Sequence, residues 1–402
     1  MSANDETSRR INRDGAGNST WSVHGGEKYQ RFAKSVTEPI AQTATYVFES
    51  LDEFEAYKQG HRSHYEYGRY GNPTIQAAEQ KLAALDSAEA ALMFSSGMSA
   101  ITTVLLAILR SGQHMIIMED CYRRTVQLCD LLGKYGVECT RVQPGDFAAL
   151  KSAVRPETRI LFAESPTNPH LHIADLEALV PFAREHRLRL LIDSTFATPI
   201  NQRPVEYGVD LVFHSATKYL GGHNDLMAGT VCGKAPMIQA IKEFRDVIGT
   251  NSDPNTAYLL IRGIKTLALR VGQQNATSLR MAQFLEDHAN VRRVFYPGLE
   301  SHPDHGVAQA QMSGFGGVVS FDIEGDLARA RAFIHALRLP YLAPSLGGVE
   351  SLVSHPATVS YSDLDRDERL RIGITDELIR YSVGIEDADD IITDLEQALE
   401  AI

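Results

Sequence analysis

The sequence predicts an α/β protein: a large domain built on a mainly parallel sheet, a smaller C-terminal α+β domain and an N-terminal arm. Apolar, strand-like runs alternate with helix-spaced stretches between residues 90 and 214, the mark of repeated β-α units whose sheet is covered on both faces. The pattern changes from about Ile264, and the chain before about Gly60 has little regular periodicity. At 402 residues the chain exceeds one ordinary core. We divide it into an arm (1–70), a large domain (71–264) and a small domain (265–402).

In the arm, Thr43-Ala44-Thr45-Tyr46-Val47-Phe48 reads as a short extended piece, and an arm of this kind needs something to lie on, such as a partner subunit. The aromatic and glycine-rich turn Tyr65-Glu66-Tyr67-Gly68-Arg69-Tyr70-Gly71-Asn72-Pro73-Thr74 leads into a helix from Ile75 to Leu85, and Tyr67 and Arg69, on alternate positions, are placed to meet an anion together. Strands are expected at Ala90-Phe94, His114-Met118, Arg159-Ala163, Leu188-Ile192 and Leu211-His214, with helices at Met98-Leu109, Thr125-Tyr135 and Ala174-His186 between them. Ser95-Ser96-Gly97-Met98-Ser99-Ala100 joins the first strand to its helix; Gly97 lets the backbone come close, and the exposed N–H groups of a helix start suit a phosphate. Tyr122 follows the second strand, and Asn168 lies in the proline-stiffened loop after the third. Beyond Ile264 come a helix through Leu267-Asp287, strands at Val291-Tyr296 and Gly317-Ile323, a helix from Leu327 to Leu337 and a closing amphipathic helix from Ala388 to Ala401. Ser345 and Arg380 lie within this part, and an arginine inside an apolar strand invites a carboxylate.

Composition narrows the function. With 39 basic against 51 acidic residues the net charge is -12, and no basic run tracks a phosphodiester backbone, so nucleic-acid binding is excluded. Met1 to Thr20 is polar and mixes acids with arginines, unlike a signal or transit peptide, and no run approaches the ~20 apolar residues of a membrane span, so a cytoplasmic protein is expected. The cysteines Cys121, Cys129, Cys139 and Cys232 form no Cys-x-x-Cys pair, and His302-Pro303-Asp304-His305 reads as a surface loop, so no metal site is expected.

The chemistry centres on His214-Ser215-Ala216-Thr217-Lys218-Tyr219. A lysine among small hydroxyl residues, entered from Leu211-Val212-Phe213 and left through Gly221-Gly222, reads as a strand end presenting an amine to a cleft. Asp193 ends another apolar strand 25 positions earlier, so the two opposite charges converge at one sheet edge, where open α/β sheets hold ligands. A lysine for a Schiff base, a carboxylate for a pyridinium nitrogen, an aromatic ring and a phosphate cup are what pyridoxal 5'-phosphate requires. An ordinary lysine, with a pKa near ~10.4, is neutral only about once in a thousand near neutral pH, so Lys218 has to be enclosed or flanked by a cation.

With these pieces in order, the chain resembles the cysteine and methionine metabolism family of pyridoxal-phosphate enzymes, from about His24 to the C terminus. The resemblance implies the fold-type I architecture of pyridoxal-phosphate transferases and a catalytic set of Lys218, Tyr122 and Asp193: Schiff-base lysine, ring-stacking tyrosine and partner of the pyridine nitrogen. It implies that Gly97, Met98, Ser215 and Thr217 hold the phosphate, that Tyr67 and Arg69 reach it from a neighbouring subunit, and that Asn168 lies near cofactor and substrate. Ser345 and Arg380 would meet the α-carboxylate, and the working unit would be a homotetramer made of two dimers. Within the family the motifs Asp120-Cys121-Tyr122-Arg123-Arg124-Thr125, Ile192-Asp193-Ser194-Thr195-Phe196-Ala197-Thr198-Pro199 and Ala343-Pro344-Ser345 are similar to those of plant-type cystathionine γ-synthases. Pro344 stands where many synthases and γ-lyases carry glutamate, and Arg123-Arg124 replaces small residues common after the tyrosine.

The activity so implied is γ-replacement, in which an O-activated L-homoserine and L-cysteine, both small amino-acid substrates, give L,L-cystathionine. A cystathionine γ- or β-lyase, an O-acylhomoserine sulfhydrylase and a γ-substituting enzyme using another nucleophile share the same residues; a non-catalytic α/β ligand-binding protein is the alternative of another class. Arg124, at a position that is basic in plant-type enzymes, is expected to meet a negatively charged leaving group such as phosphate.

Overall fold

The computed structural model describes residues 15–27 and 31–402, so most of the polar opening lies outside the described residues. Seven strands form the larger sheet: β1 (Ala90–Phe94), β2 (His114–Met118), β3 (Glu138–Val142), β4 (Thr158–Glu164), β5 (Arg189–Asp193), β6 (Leu211–Ser215) and β7 (Gly229–Gly233), in the order β1-β7-β6-β5-β4-β2-β3. The five from β3 to β6 run parallel. They are joined through helices, because parallel neighbours need long crossovers. Their interior is apolar on both faces: Met115, Ile116 and Ile117 of β2 and Leu191 and Ile192 of β5 are fully buried.

β7 departs from the expected alternation. It is antiparallel to both neighbours, β1 and β6. Glycine at its start has a steric reason, since a Cβ on Gly229 would stand 2.1 Å from the Ser96 carbonyl oxygen. β3, β7 and the helices Phe147–Ala153, Ala235–Ile248 and Pro254–Ile264 were not expected from the sequence pattern. β3 is an edge strand with mixed exposure, and β7 is a glycine-bounded run of five residues; neither offers an alternation to read.

The smaller sheet holds β8 (Val291–Phe295), β9 (Val318–Ile323), β10 (Tyr341–Leu342), β11 (Leu352–Ser354) and β12 (Leu378–Ser382), in the order β10-β11-β12-β9-β8. All pairs are antiparallel except β10 with β11. Its helices Leu267–Glu286, Leu327–Ala336 and Ala388–Glu400 lie close to the expected positions. A continuous apolar cluster joins the two sheets, running from Leu82 and Met93 through Leu260 and Val271 to Val319, Phe321 and Tyr381. The larger sheet's edge is therefore held against Ser345 and Arg380 by packed core.

His302 is buried, correcting the expectation that its segment is simply a surface loop: its Nε2 faces the His170 carbonyl at 3.2 Å and its Nδ1 accepts from the Asp304 amide. Among the described residues no cluster of side chains suited to a metal ion occurs, and no helix is long and apolar enough to cross a membrane.

Candidate active site

Strands β4, β5 and β6 end side by side at Glu164, Asp193 and Ser215, with Glu164 opposite Asp193 and Asp193 opposite Phe213. The chain after β6 turns at once: the Lys218 amide donates to Ser215 O (3.0 Å) and the Gly222 amide to Lys218 O (2.8 Å). This turn carries Lys218 over a cleft of about 370 Å³, also lined by Gly97, Met98, Tyr122, Asn168, Asp193, Ser215, Thr217, Ser345 and Arg380. Ten of the thirteen expected site residues thus converge.

The amine is poised. Lys218 Nζ donates to Ser345 Oγ at 2.6 Å and has a pKa lowered to about 8, by burial and then by the Arg380 charge. Arg380 reaches from β12, donating from Nη1 to Asn168 Oδ1 (3.1 Å) and from Nη2 to Ser345 O (2.9 Å), while its buried Nε has no partner among the described residues. Ser345 itself is held at φ 121°, a backbone region costly for any residue with a side chain. That strain accompanies its position between the amine and the guanidinium.

Asp193 is buried, and its Oδ1 accepts from the Thr195 amide (3.0 Å) and hydroxyl (2.6 Å). Burial raises its pKa, against the pull of the Thr195 bonds. The same hydroxyl accepts from the Ser215 amide (2.8 Å), tying β5 to the turn that carries Lys218.

The helix Gly97–Ile108 starts with a capping box in which Ser96 and Ser99 bond each other's amides. The Gly97 and Met98 amides are left without a partner among the described residues. A Cβ on Gly97 would lie 3.1 Å from the Ser215 Cβ, so glycine keeps this cradle open. Helix N–H groups, two hydroxyl residues, an aromatic ring, a carboxylate and a low-pKa lysine together fit pyridoxal phosphate.

Three expected residues lie elsewhere. Arg124 is exposed and donates to Gln127 Oε1 at 2.7 Å, because the first helical turn aims it along its own helix, away from the cleft lining. Tyr67 is exposed, and Arg69 donates to the Asp246 carbonyl and lies 4.8 Å from the Tyr70 ring centroid; neither lines the cleft of its own chain. Among the lining residues outside the expected set, Thr195 and Glu164 bond to it through their side chains. Thr195 stood two positions after Asp193, the usual spacing for a local carboxylate bond. Glu164 ended an apolar strand just as Asp193 did.

The chain is similar to known proteins along nearly its whole length. The model of the family described as Cys/Met metabolism PLP-dependent enzyme matches residues 19–400. The chain belongs to this family of pyridoxal-phosphate enzymes. Cystathionine γ-synthase 1, chloroplastic, of Arabidopsis thaliana is 47% identical over 94% of this chain and 68% of its own length. Cystathionine γ-lyase of Bacillus subtilis (strain 168) is 41% identical over 95% of this chain and 99% of its own. The crystal structure of metB from Corynebacterium glutamicum superposes with a TM-score of 0.91 at 37% identity, covering 97% of this chain and 99% of that one. The protein is therefore a pyridoxal-phosphate enzyme of fold type I acting on amino-acid substrates, with synthases and lyases among its relatives.

Proposed function

We propose that the enzyme is a cystathionine γ-synthase, replacing the Oγ substituent of an activated L-homoserine with the sulfur of L-cysteine. The observation that carries this reading is the 47% identity to a plant γ-synthase across nearly the whole chain. Lys218, Asp193, Tyr122, Gly97, Met98, Ser215, Thr217 and Asn168 would hold the cofactor, which when bound supplies an electron sink for the carbanion. Arg380 would take the substrate carboxylate, since its unpartnered Nε is a donor in waiting. Lys218, neutral in a useful fraction near pH 8, would remove one proton from Cα and one from Cβ before the Oγ substituent leaves, and return one to each after the sulfur adds. Arg124 would meet a charged leaving group by exchanging Gln127 for it.

Tyr67 and Arg69 would serve a partner's cleft, which supports a dimer at least and the tetramer expected of the family; exposed apolar residues in the arm, Phe32, Val36, Val47 and Leu51, suit such contacts. We place the arm at 1–70, the cofactor domain at 71–264 and the small domain at 265–402, a division under which the two sheets fall in different domains.

A lyase acting on cystathionine is the second reading, favoured by the 41% identity to a γ-lyase. Incubating the holoenzyme with O-phospho-, O-acetyl- and O-succinyl-L-homoserine, each with and without L-cysteine, decides between them. Cysteine-dependent cystathionine is expected; its absence from every ester, with 2-oxobutanoate released from cystathionine, would establish the lyase.

A further inference from the structure

We propose that Glu164 is a positioning residue whose side chain, held as a neutral carboxyl, straps the backbone of Tyr122 to β4 and leaves Asp193 as the ionised member of the pair. This inference rests on the cofactor roles given above to Tyr122 and Asp193.

The register supplies the first argument. Glu164 and Asp193 are directly opposed on parallel strands. Opposed residues share a face of the sheet, with strands roughly 4.8 Å apart. Both are buried, Glu164 at 5% and Asp193 at 8% exposure. Two carboxyls enclosed together do not both ionise readily.

Their partners decide which one keeps its proton. Asp193 Oδ1 receives two donors from Thr195, whereas Glu164 Oε2 receives one, the Tyr122 amide at 2.6 Å. The groups acting on Glu164 are Asp193 from β5, Asp120 and Cys121 from the turn after β2, and Tyr361 from the small-sheet side; Lys218 and Arg380 line the same cleft and His172 the pocket beside it, but among the described residues none of these cations forms an ion pair with Glu164. Burial and then Asp193 push the Glu164 carboxyl well above the usual range, against the Tyr122 amide.

The strap has a structural purpose. Tyr122 stands at the N-cap of the helix Arg123–Leu132 without a side-chain cap of its own. A helix start with no cap is loosely held. Glu164 holds the N-cap residue itself, accepting from the Tyr122 amide across from the neighbouring strand, and the ring lining the cleft is fixed with it.

The test compares Glu164→Gln and Glu164→Ala holoenzymes with the parent. Infrared difference spectra at neutral pH should show a protonated-carboxyl band that Glu164→Gln removes. Because glutamine keeps a neutral acceptor for the Tyr122 amide, it should act as the conservative rescue, with kcat and cofactor dissociation within about threefold of the parent. Glu164→Ala should weaken cofactor binding and lower kcat by about tenfold, with KM for the amino acid unchanged. A missing band, or glutamine as damaging as alanine, overturns the proposal. Asp193→Asn is the control: if it leaves the cofactor spectrum unchanged, the reading of Asp193 fails; if it shifts the spectrum while glutamine fails to rescue, the fault lies with Glu164 alone.

Discussion

Two lysines are pushed to a pKa of about 8 by burial, Lys81 and Lys218, and they sit in different chemistry. Lys81, on the helix Pro73–Leu85, is 1% exposed and donates to the Val23 carbonyl (2.8 Å) and to Glu27 (3.4 Å). Glu27 also pairs with Arg31 and Lys265, so Lys81 belongs to a closed ion network. Among the described residues Lys218 has no carboxylate partner; it donates to a serine hydroxyl beside a buried arginine and opens on a cleft. Burial alone therefore does not make a reactive amine. Cationic neighbours do not either, since Arg31 and Lys265 act on Lys81 as Arg380 acts on Lys218; freedom from a carboxylate and access to a cleft do.

The largest effect should come from removing the amine itself. Lys218→Ala should lower kcat by about 10³-fold or more and leave cofactor that is lost on dialysis, measured by steady-state turnover and absorbance.

Arg380 should act in two ways. Arg380→Ala should raise KM for the amino acid by about 10- to 100-fold, with a smaller change in kcat, by loss of a charge-assisted carboxylate contact. The same guanidinium lowers the Lys218 pKa. The sign follows: the neutral amine captures cofactor, so capture by the apoenzyme should accelerate as pH rises through about 8. Arg380→Met should move that midpoint upward, seen in stopped-flow absorbance; a midpoint that does not move would remove the Arg380 charge from the account of Lys218.

Arg124→Ala tests the substrate side, and should reduce the preference for the phosphate over the acetyl ester by about tenfold, read as a ratio of kcat/KM values. The smallest effect is expected at the other lysine. Lys81→Met should leave turnover and cofactor binding within about twofold, because the network around Glu27 touches no cleft residue.

Much of this arrangement was legible in the sequence because strand ends are local signals. Lys218 and Asp193 each follow an apolar run that can only be buried, and Gly97 sits at a strand-to-helix turn, so their convergence follows from parallel β-α topology. Arg380 could be marked as an arginine needing a partner, but its bonds to Asn168 and Ser345 cross from one sheet to the other and depend on tertiary packing. The strained Ser345 and the antiparallel β7 carry no periodic signal. Arg124 illustrates the opposite case: close to Tyr122 in sequence, it rests on Gln127 rather than among the cleft lining, and has to exchange that bond to act on a substrate.

The most direct measurement is borohydride reduction of the holoenzyme followed by peptide mapping of the cofactor label. The label should fall on Lys218, with Lys81 unlabelled despite its equally low pKa. A label on Lys81 or on any other lysine would contradict the account.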